Sequence, residues 1–313
     1  MTMGEETTPG PDKASFGLRL RAVKERFRAN ARRIAAIVRG RRERALRTHD
    51  PLPAGQRPQD VLAILMLTVG IALVIADIPT YPWLQTLPHA TRAPFVVLTD
   101  LGKAHWILWS TGLFCLACLA FADIDRLTWR VRMGLSMAWT YAAFVFFSVA
   151  STGILAILFK WTLGRARPKL YETVGPVEFD LFAFHGSYTS FPSGHSTTVA
   201  ALATALALIF PSWRWLIIVA AFWIAFSRIM VGAHYPSDVI AGTLLGATVT
   251  LFCARWMARR RLGFRLSANG SVEPVMSRRS AAACARAIWH AALGRRGARR
   301  APSSGAGHHR ESE

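Results

Sequence analysis

The sequence predicts an all-α integral membrane protein, a bundle of six transmembrane helices flanked by basic polar tails. Three observations carry that expectation. The 313 residues are 52% hydrophobic with a mean hydropathy of +0.27, yet they carry a formal net charge of +20. A soluble domain rarely combines these values; a membrane protein does so by placing apolar spans and basic ends in different parts of the chain. The apolar residues crowd the middle, and the basic ones crowd residues 13–57 and 255–300. Finally, stretches near 60–78, 104–122, 137–159, 195–211, 215–232 and 237–254 approach the roughly 20 apolar residues that a helix needs to cross a hydrocarbon core. Lipid offers backbone groups no water, so such spans must be helical.

The chain divides accordingly into a basic tail (1–58), a six-helix membrane domain (59–256) and a second basic tail (257–313). In the first tail, Phe16, Leu20, Val23, Phe27, Ile34 and Val38 recur at helical spacing among arginines and lysines. That pattern reads as an amphipathic helix on the inner membrane surface, drawn to anionic inner-leaflet lipid. Tethering beside anionic headgroups already accounts for the charge, so no nucleic-acid partner is expected. The first apolar run begins near residue 60, far beyond the n-region of a signal peptide, and reads as a retained span. Cys115 and Cys118 form a C-x-x-C inside an apolar run and read as small packing residues. Beyond residue 266 the chain turns to Ser, Ala, Gly and Arg and reads as largely disordered, with a short helix around 280–293.

Lysine and arginine placement orients the bundle. With both termini inside, the cytoplasmic side receives both tails, the loop with Arg126, Arg130 and Arg132, and the turn with Arg214. The outer loops, roughly 79–103 and 169–194, carry few basic residues. Lys160, Arg165, Arg167 and Arg228 disobey this bias at the outer ends of the third and fifth spans. Cations kept at membrane depth need partners and mark a functional site.

Three polar clusters share that outer side. Lys160 and Arg167 stand seven residues apart, one helix face, with Pro168 as the helix stop. Two cations at one spot suit an oxyanion. Pro192-Ser193-Gly194-His195 opens the fourth span, where unpaired N–H groups and the helix dipole favour an anion. Ser227-Arg228, His234 and Asp238 form the third cluster. If the sixth helix has begun by His234, Asp238 lies one turn on and can accept from Nδ1, leaving Nε2 to attack. No metal-ligand set and no cofactor motif accompany these residues. Metal-free phosphoryl transfer follows, with His234 as nucleophile, Asp238 as its orienting partner and His195 as general acid. Lys160, Arg167, Arg228, Ser193 and Gly194 would hold the phosphate oxygens.

Lys160-x6-Arg167-Pro168, Pro192-Ser193-Gly194-His195 and Ser227-Arg228-x5-His234-x3-Asp238 together resemble the three-part signature of type 2 phosphatidic acid phosphatases (PAP2), the lipid phosphate phosphatases. The resemblance covers roughly residues 60–256. It implies a six-helix membrane core of the acid phosphatase–haloperoxidase kind. It also implies metal-independent hydrolysis of a membrane lipid phosphate or pyrophosphate, with the active site on the non-cytoplasmic side. Phosphatidic acid, phosphatidylglycerol phosphate, undecaprenyl pyrophosphate and lipid A are the substrate types it suggests. The same site would also serve a lipid phosphotransferase, and a non-catalytic transporter or membrane anchor is the reading from a different class. Arg165 is not a signature position and its role stays open.

Overall fold

The computed structural model describes residues 11–46, 52, 54, 55 and 57–293, and within them eleven α-helices and one β-hairpin. Helix α1 (Pro11–Leu46) covers the basic segment expected to form an amphipathic helix. It is followed by α2 (Pro58–Ile75), α3 (Asp77–Thr86), α4 (His89–Asp100) and α5 (Ala104–Phe121). The longest helix of the middle region, α6 (Trp129–Leu163), leads through a loop containing α7 (Tyr171–Val174) to α8 (Gly194–Ile209). Helices α9 (Arg214–Met230) and α10 (Pro236–Arg259) complete the bundle. Strands β1 (Phe264–Leu266) and β2 (Val272–Pro274) then pair antiparallel, and α11 (Arg278–Ala292) follows.

Among the described residues, five helices are long and apolar enough to cross a membrane: Pro58–Ile75, His89–Phe121, Trp129–Leu163, Pro211–Met230 and Pro236–Arg259. The remaining expected span, α8, has 16 residues and falls short of that length. Its position explains how it can. It lies between α6, α9 and α10, and most of its first three turns are buried, including Ser196, Thr197, Val199 and Ala201. Outward-facing apolar side chains on α2, α5, α6 and α9, such as Met66, Trp109, Ile154 and Trp215, are left for lipid to cover.

Small residues let the two central helices approach. A Cβ added at Gly242 or Gly246 of α10 would collide with the backbone of α8 at Ser193 or Thr197. The Gly242/Gly246 pair therefore serves contact between helices of one chain. One apolar cluster joins Ile107 of α5, Phe144 and Val149 of α6, Ala201 and Ala205 of α8, and Ala254 and Ala258 of α10.

The same cluster contains Phe264, fully buried, from the segment after α10. Here the structure differs from the sequence expectation of a largely disordered chain beyond residue 266. Tyr141 donates its hydroxyl to the Gly263 carbonyl at 2.9 Å, and Cys284 of α11 is buried against Gly134 of α6. The short helix expected around 280–293 is present as α11, whereas the low hydrophobicity of the preceding segment concealed the hairpin that Phe264 anchors. Residues 294–313, also expected to be disordered, lie outside the described residues. The expected loop at 79–103 differs too, for α3 and α4 occupy most of it.

The close approach of α8 and α10 yields a test. Gly246→Val should lower the melting temperature in detergent by an amount corresponding to about 1–3 kcal/mol of overpacking. Gly153→Val, where no described atom beyond the adjoining stretch of its own helix lies within 4 Å of the added carbon, should change it little.

Candidate active site

The site forms where the end of α6, the start of α8, the end of α9 and the start of α10 meet. Gly164 ends α6 in the left-handed conformation (φ 56°), and its amide donates to the Lys160 carbonyl. A side chain there would strike the Asp180 backbone. This turn releases Arg165, Ala166 and Arg167 as an extended segment, pinned by Ala166 N to Glu178 O (3.0 Å) and Arg167 N to Ser187 O (2.9 Å). Lys160 and Arg167 are thus not on one helix face as their spacing suggested, and Gly164 rather than Pro168 is the stop. They converge nonetheless: Lys160 Nζ donates to the Thr189 carbonyl (2.6 Å) and Arg167 Nη2 to the Thr189 hydroxyl (3.1 Å).

Ser193 is the N-cap of α8 and is fully buried. Its Oγ accepts from the Ser196 hydroxyl at 2.8 Å, and its amide donates to the Asp238 carbonyl at 3.0 Å, tying α8 to α10. Its hydroxyl is therefore engaged inside the protein. Gly194 lies beside Lys160, whose Cε is 3.7 Å from where a Cβ would sit. His195, half-buried, has Gly102 against its ring. Arg228, Lys103, Lys160 and Asp100 are the charged groups acting on it. Arg228, in the last turn of α9, donates to the Thr99 hydroxyl at 2.7 Å. The buried Nε groups of Arg167 and Arg228 have no hydrogen-bond partner among the described residues. Buried donors of this kind are costly unless an anion satisfies them.

His234 is buried and precedes α10 instead of lying on it; Tyr235 is the N-cap and Asp238 occupies the third helical position. The turn still brings His234 Nδ1 to 3.5 Å from Asp238 Oδ2, and Nδ1 has no shorter hydrogen bond. Such contacts are commonly long without substrate and tighten in the reacting complex. Burial pushes the His234 imidazole down to about 4, so the ring is neutral near pH 7 with a nitrogen lone pair available.

Asp238 is fully enclosed. Its Oδ2 accepts from the Ser190 hydroxyl (2.6 Å) and the Tyr235 amide (2.9 Å), and its Oδ1 from Arg165 Nη1 (2.6 Å). Arg165, itself inaccessible, also donates through Nη2 to Asp77 Oδ2 (2.7 Å) and to the Pro176 carbonyl (2.6 Å). Asp77 in turn accepts from the Ser237 amide at 2.9 Å. The Tyr235 ring lies 4.5 Å from the guanidinium. Arg165 therefore faces inward onto two carboxylates, away from Lys160, Arg167 and Arg228.

Asp77, Ser190, Ser237, Thr99 and Thr189 escaped the sequence reading. Serine and threonine in outer loops give no signal of their own. Asp77 does, as a lone acid at the end of an apolar run, where an unpaired charge would be expensive.

Half-buried cations around a buried neutral histidine, on a multi-pass helical scaffold, define a membrane protein with a candidate anion site. Comparison with known proteins narrows that class. The family profile of the PAP2 superfamily matches residues 141–262. The chain is 36% identical over 220 residues to the lipid A 1-phosphatase of Rhizobium johnstonii, covering 68% of this chain and 86% of that protein. It is 36% identical over 214 residues to the lipid A 1-phosphatase of Rhizobium etli, covering 68% and 91% respectively. A PAP2-type phosphatidylglycerolphosphate phosphatase structure from Bacillus subtilis aligns with 63% of this chain and 94% of its own, with TM-score 0.44 and 19% identity. The chain belongs to the PAP2 superfamily.

Removing the buried cation should be costly. Arg165→Met leaves Asp77 and Asp238 together without a counter-charge, and should destabilise the protein by about 3–5 kcal/mol. A lowered melting temperature in detergent checks this, with Arg165→Lys expected to fall between Met and wild type.

Proposed function

We propose that the chain is a membrane lipid phosphatase that works through a phosphohistidine on His234, without a metal ion. The observation that carries this reading is His234, buried and neutral, beside Asp238 and facing a site ringed by Lys160, Arg167 and Arg228. A neutral imidazole with one nitrogen engaged by a carboxylate presents the other as a nucleophile.

Nε2 attacks phosphorus while the bond to the lipid oxygen breaks, and His195, protonated once the bound phosphate offsets the cations around it, gives its proton to that oxygen. In the second half, His195 takes a proton from water, the water oxygen attacks phosphorus, and the P–N bond breaks. Inorganic phosphate leaves and both histidines return to their starting states. Asp238 holds the Nδ1 proton and favours the cationic ring as bonding proceeds. Lys160, Arg167, Arg228 and the amides at the start of α8, including Gly194, meet the charge on the equatorial oxygens. Ser193 contributes by capping α8 and setting the direction of those amides.

Among lipid phosphates, the 1-phosphate of lipid A is the substrate we favour, because relatives bearing that name share 36% identity over most of their length. The same considerations support an N-in, C-in arrangement in the inner membrane. Basic α1 and the Arg259–Arg261 end of α10 lie together, and the candidate site lies at the other end of α6 and α10. The basic helix then faces anionic inner-leaflet lipid, and the site opens on the non-cytoplasmic side.

Purified protein should release phosphate from lipid A 1-phosphate, persist in EDTA and be inhibited by vanadate. His234→Ala should lower turnover by roughly 1,000-fold or more. Full activity in that variant would eliminate the mechanism, and labelled lipid product without free phosphate would reveal transfer instead of hydrolysis. Wild type quenched during turnover should carry a phosphate adduct on the peptide containing His234, read by mass spectrometry at neutral pH, and His195→Gln should slow both its formation and its breakdown.

The depressed imidazole supplies a separate check. Lowering the pH from 7 to 5 should leave His234 unprotonated, with its proton taken up only near pH 4. Histidine-selective NMR, assigned with His234→Gln, measures this; titration at the ordinary value of about 6.5 would contradict the buried neutral ring.

A further inference from the structure

At the end of the bundle away from the candidate active site, α1 roofs a cavity of about 1100 Å³ between α5, α6 and α10. Ile34, Ile37 and Val38 look down from α1, and Trp139, Phe147 and Trp256 form much of the wall. Along α10 its lining residue Phe252 lies about 21 Å from Asp238, at 1.5 Å per helical residue.

Polar contacts flanking the cavity hold the roof in place. Asn30 is buried and donates Nδ2 to the carbonyls of Leu119 and Ala122 at 3.0 Å, capping the otherwise unsatisfied end of α5. Arg33 pairs with Asp125 at 2.7 Å. Farther along, Arg41 donates to the carbonyls of Arg260 and Arg261. The apolar stretch between these anchors spans the cavity without filling it. The recess is open on one side, with Phe147 and Trp256 still exposed, and its apolar walls are left for a flexible apolar occupant to cover. Water is a poor occupant where polar partners are so few. The volume reaches the upper end of the roughly 300–1,000 Å³ of small-molecule pockets, enough for flexible hydrocarbon.

Charge at the rim selects among lipids. Arg33 and Arg132 both line the cavity and are exposed. Arg33 has its carboxylate partner, Asp125, and Arg132 lies within that carboxylate's electrostatic reach without forming an ion pair with it. Helix α1 contributes twelve lysines and arginines against three acidic residues. We propose that this cavity is a lipid-binding site, which takes the acyl chains of an anionic phospholipid and holds its phosphate at Arg132 and Arg33. The site is separate from the catalytic one and does not depend on the proposed phosphatase reaction.

Native mass spectrometry of the full chain in detergent tests it, with phosphatidylglycerol and phosphatidylcholine of equal chain length as probes. The wild type should retain phosphatidylglycerol at collision energies that strip phosphatidylcholine. Ser136→Trp and Ile37→Trp place bulk in the cavity from exposed positions on opposite sides, and each should lower retention at least fivefold. Arg132→Glu should erase the preference for the anionic lipid while leaving chain binding. Melting temperatures near the wild-type value identify folded variants, and either tryptophan variant suffices. Equal retention of the two lipids by wild type would overturn the proposal. So would unchanged retention in a folded tryptophan variant, or a dimer in place of a lipid adduct.

Discussion

The arrangement of the candidate site depends on one buried cation. Arg165 joins Asp77, at the start of α3, to Asp238, at the start of α10, and it issues from the turn that ends α6. Three segments far apart in sequence therefore share one guanidinium. Its planar donor fork suits this, since separate N–H groups engage each carboxylate and the Pro176 carbonyl. In a low-dielectric interior neither carboxylate is tolerable alone, so the three ionised groups must assemble together. The result fixes Oδ1 of Asp238 and leaves Oδ2 directed at His234. With both acids ionised and the imidazole neutral, this enclosed set has one more negative than positive charge. A histidine that gains positive character during reaction would balance it.

Much of this was legible from residue type and spacing. Apolar runs of nearly twenty residues have one stable solution in lipid, so the main helices could be placed to within a few residues. The early start of α6, at Trp129 instead of near 137, lay in a stretch where arginines interrupt the apolar pattern. The candidate site was legible as a set of residues but not as a set of backbone conformations. Lys160 and Arg167 meet by way of the Gly164 turn, and His234 reaches Asp238 from ahead of the helix. Motif spacing records that two side chains converge and is silent on the path by which they do so.

What stayed hidden was long-range and polar. Asp77 belongs with Arg165 across 88 positions, and Ser190 with Asp238 across 48. Nothing in local periodicity encodes such pairs. Phe264 was hidden for a related reason: a single aromatic amid polar residues carries little periodic signal, yet it fills the core where α6 and α10 part. The basic character of α1 was evident, but its docking through Asn30 and the cavity beneath it depend on the end of α5 as much as on α1 itself.

The brevity of α8 has a consequence for how a headgroup is met. Its 16 residues rise only about 24 Å, whereas the 35 residues of α6 rise about 52 Å. The hydrocarbon layer is about 30 Å thick. A helix that short falls about 6 Å short of spanning that layer, and Ser193, Gly194 and His195 at its start lie level with Asp238 at the start of α10 and Lys160 near the end of α6. Phe182 and Phe184, exposed at 60% and 67%, lie on the loop above. A phosphate sinks a short way to reach that level while its acyl chains remain among their neighbours. The work of pulling a lipid out of the bilayer is thereby largely avoided.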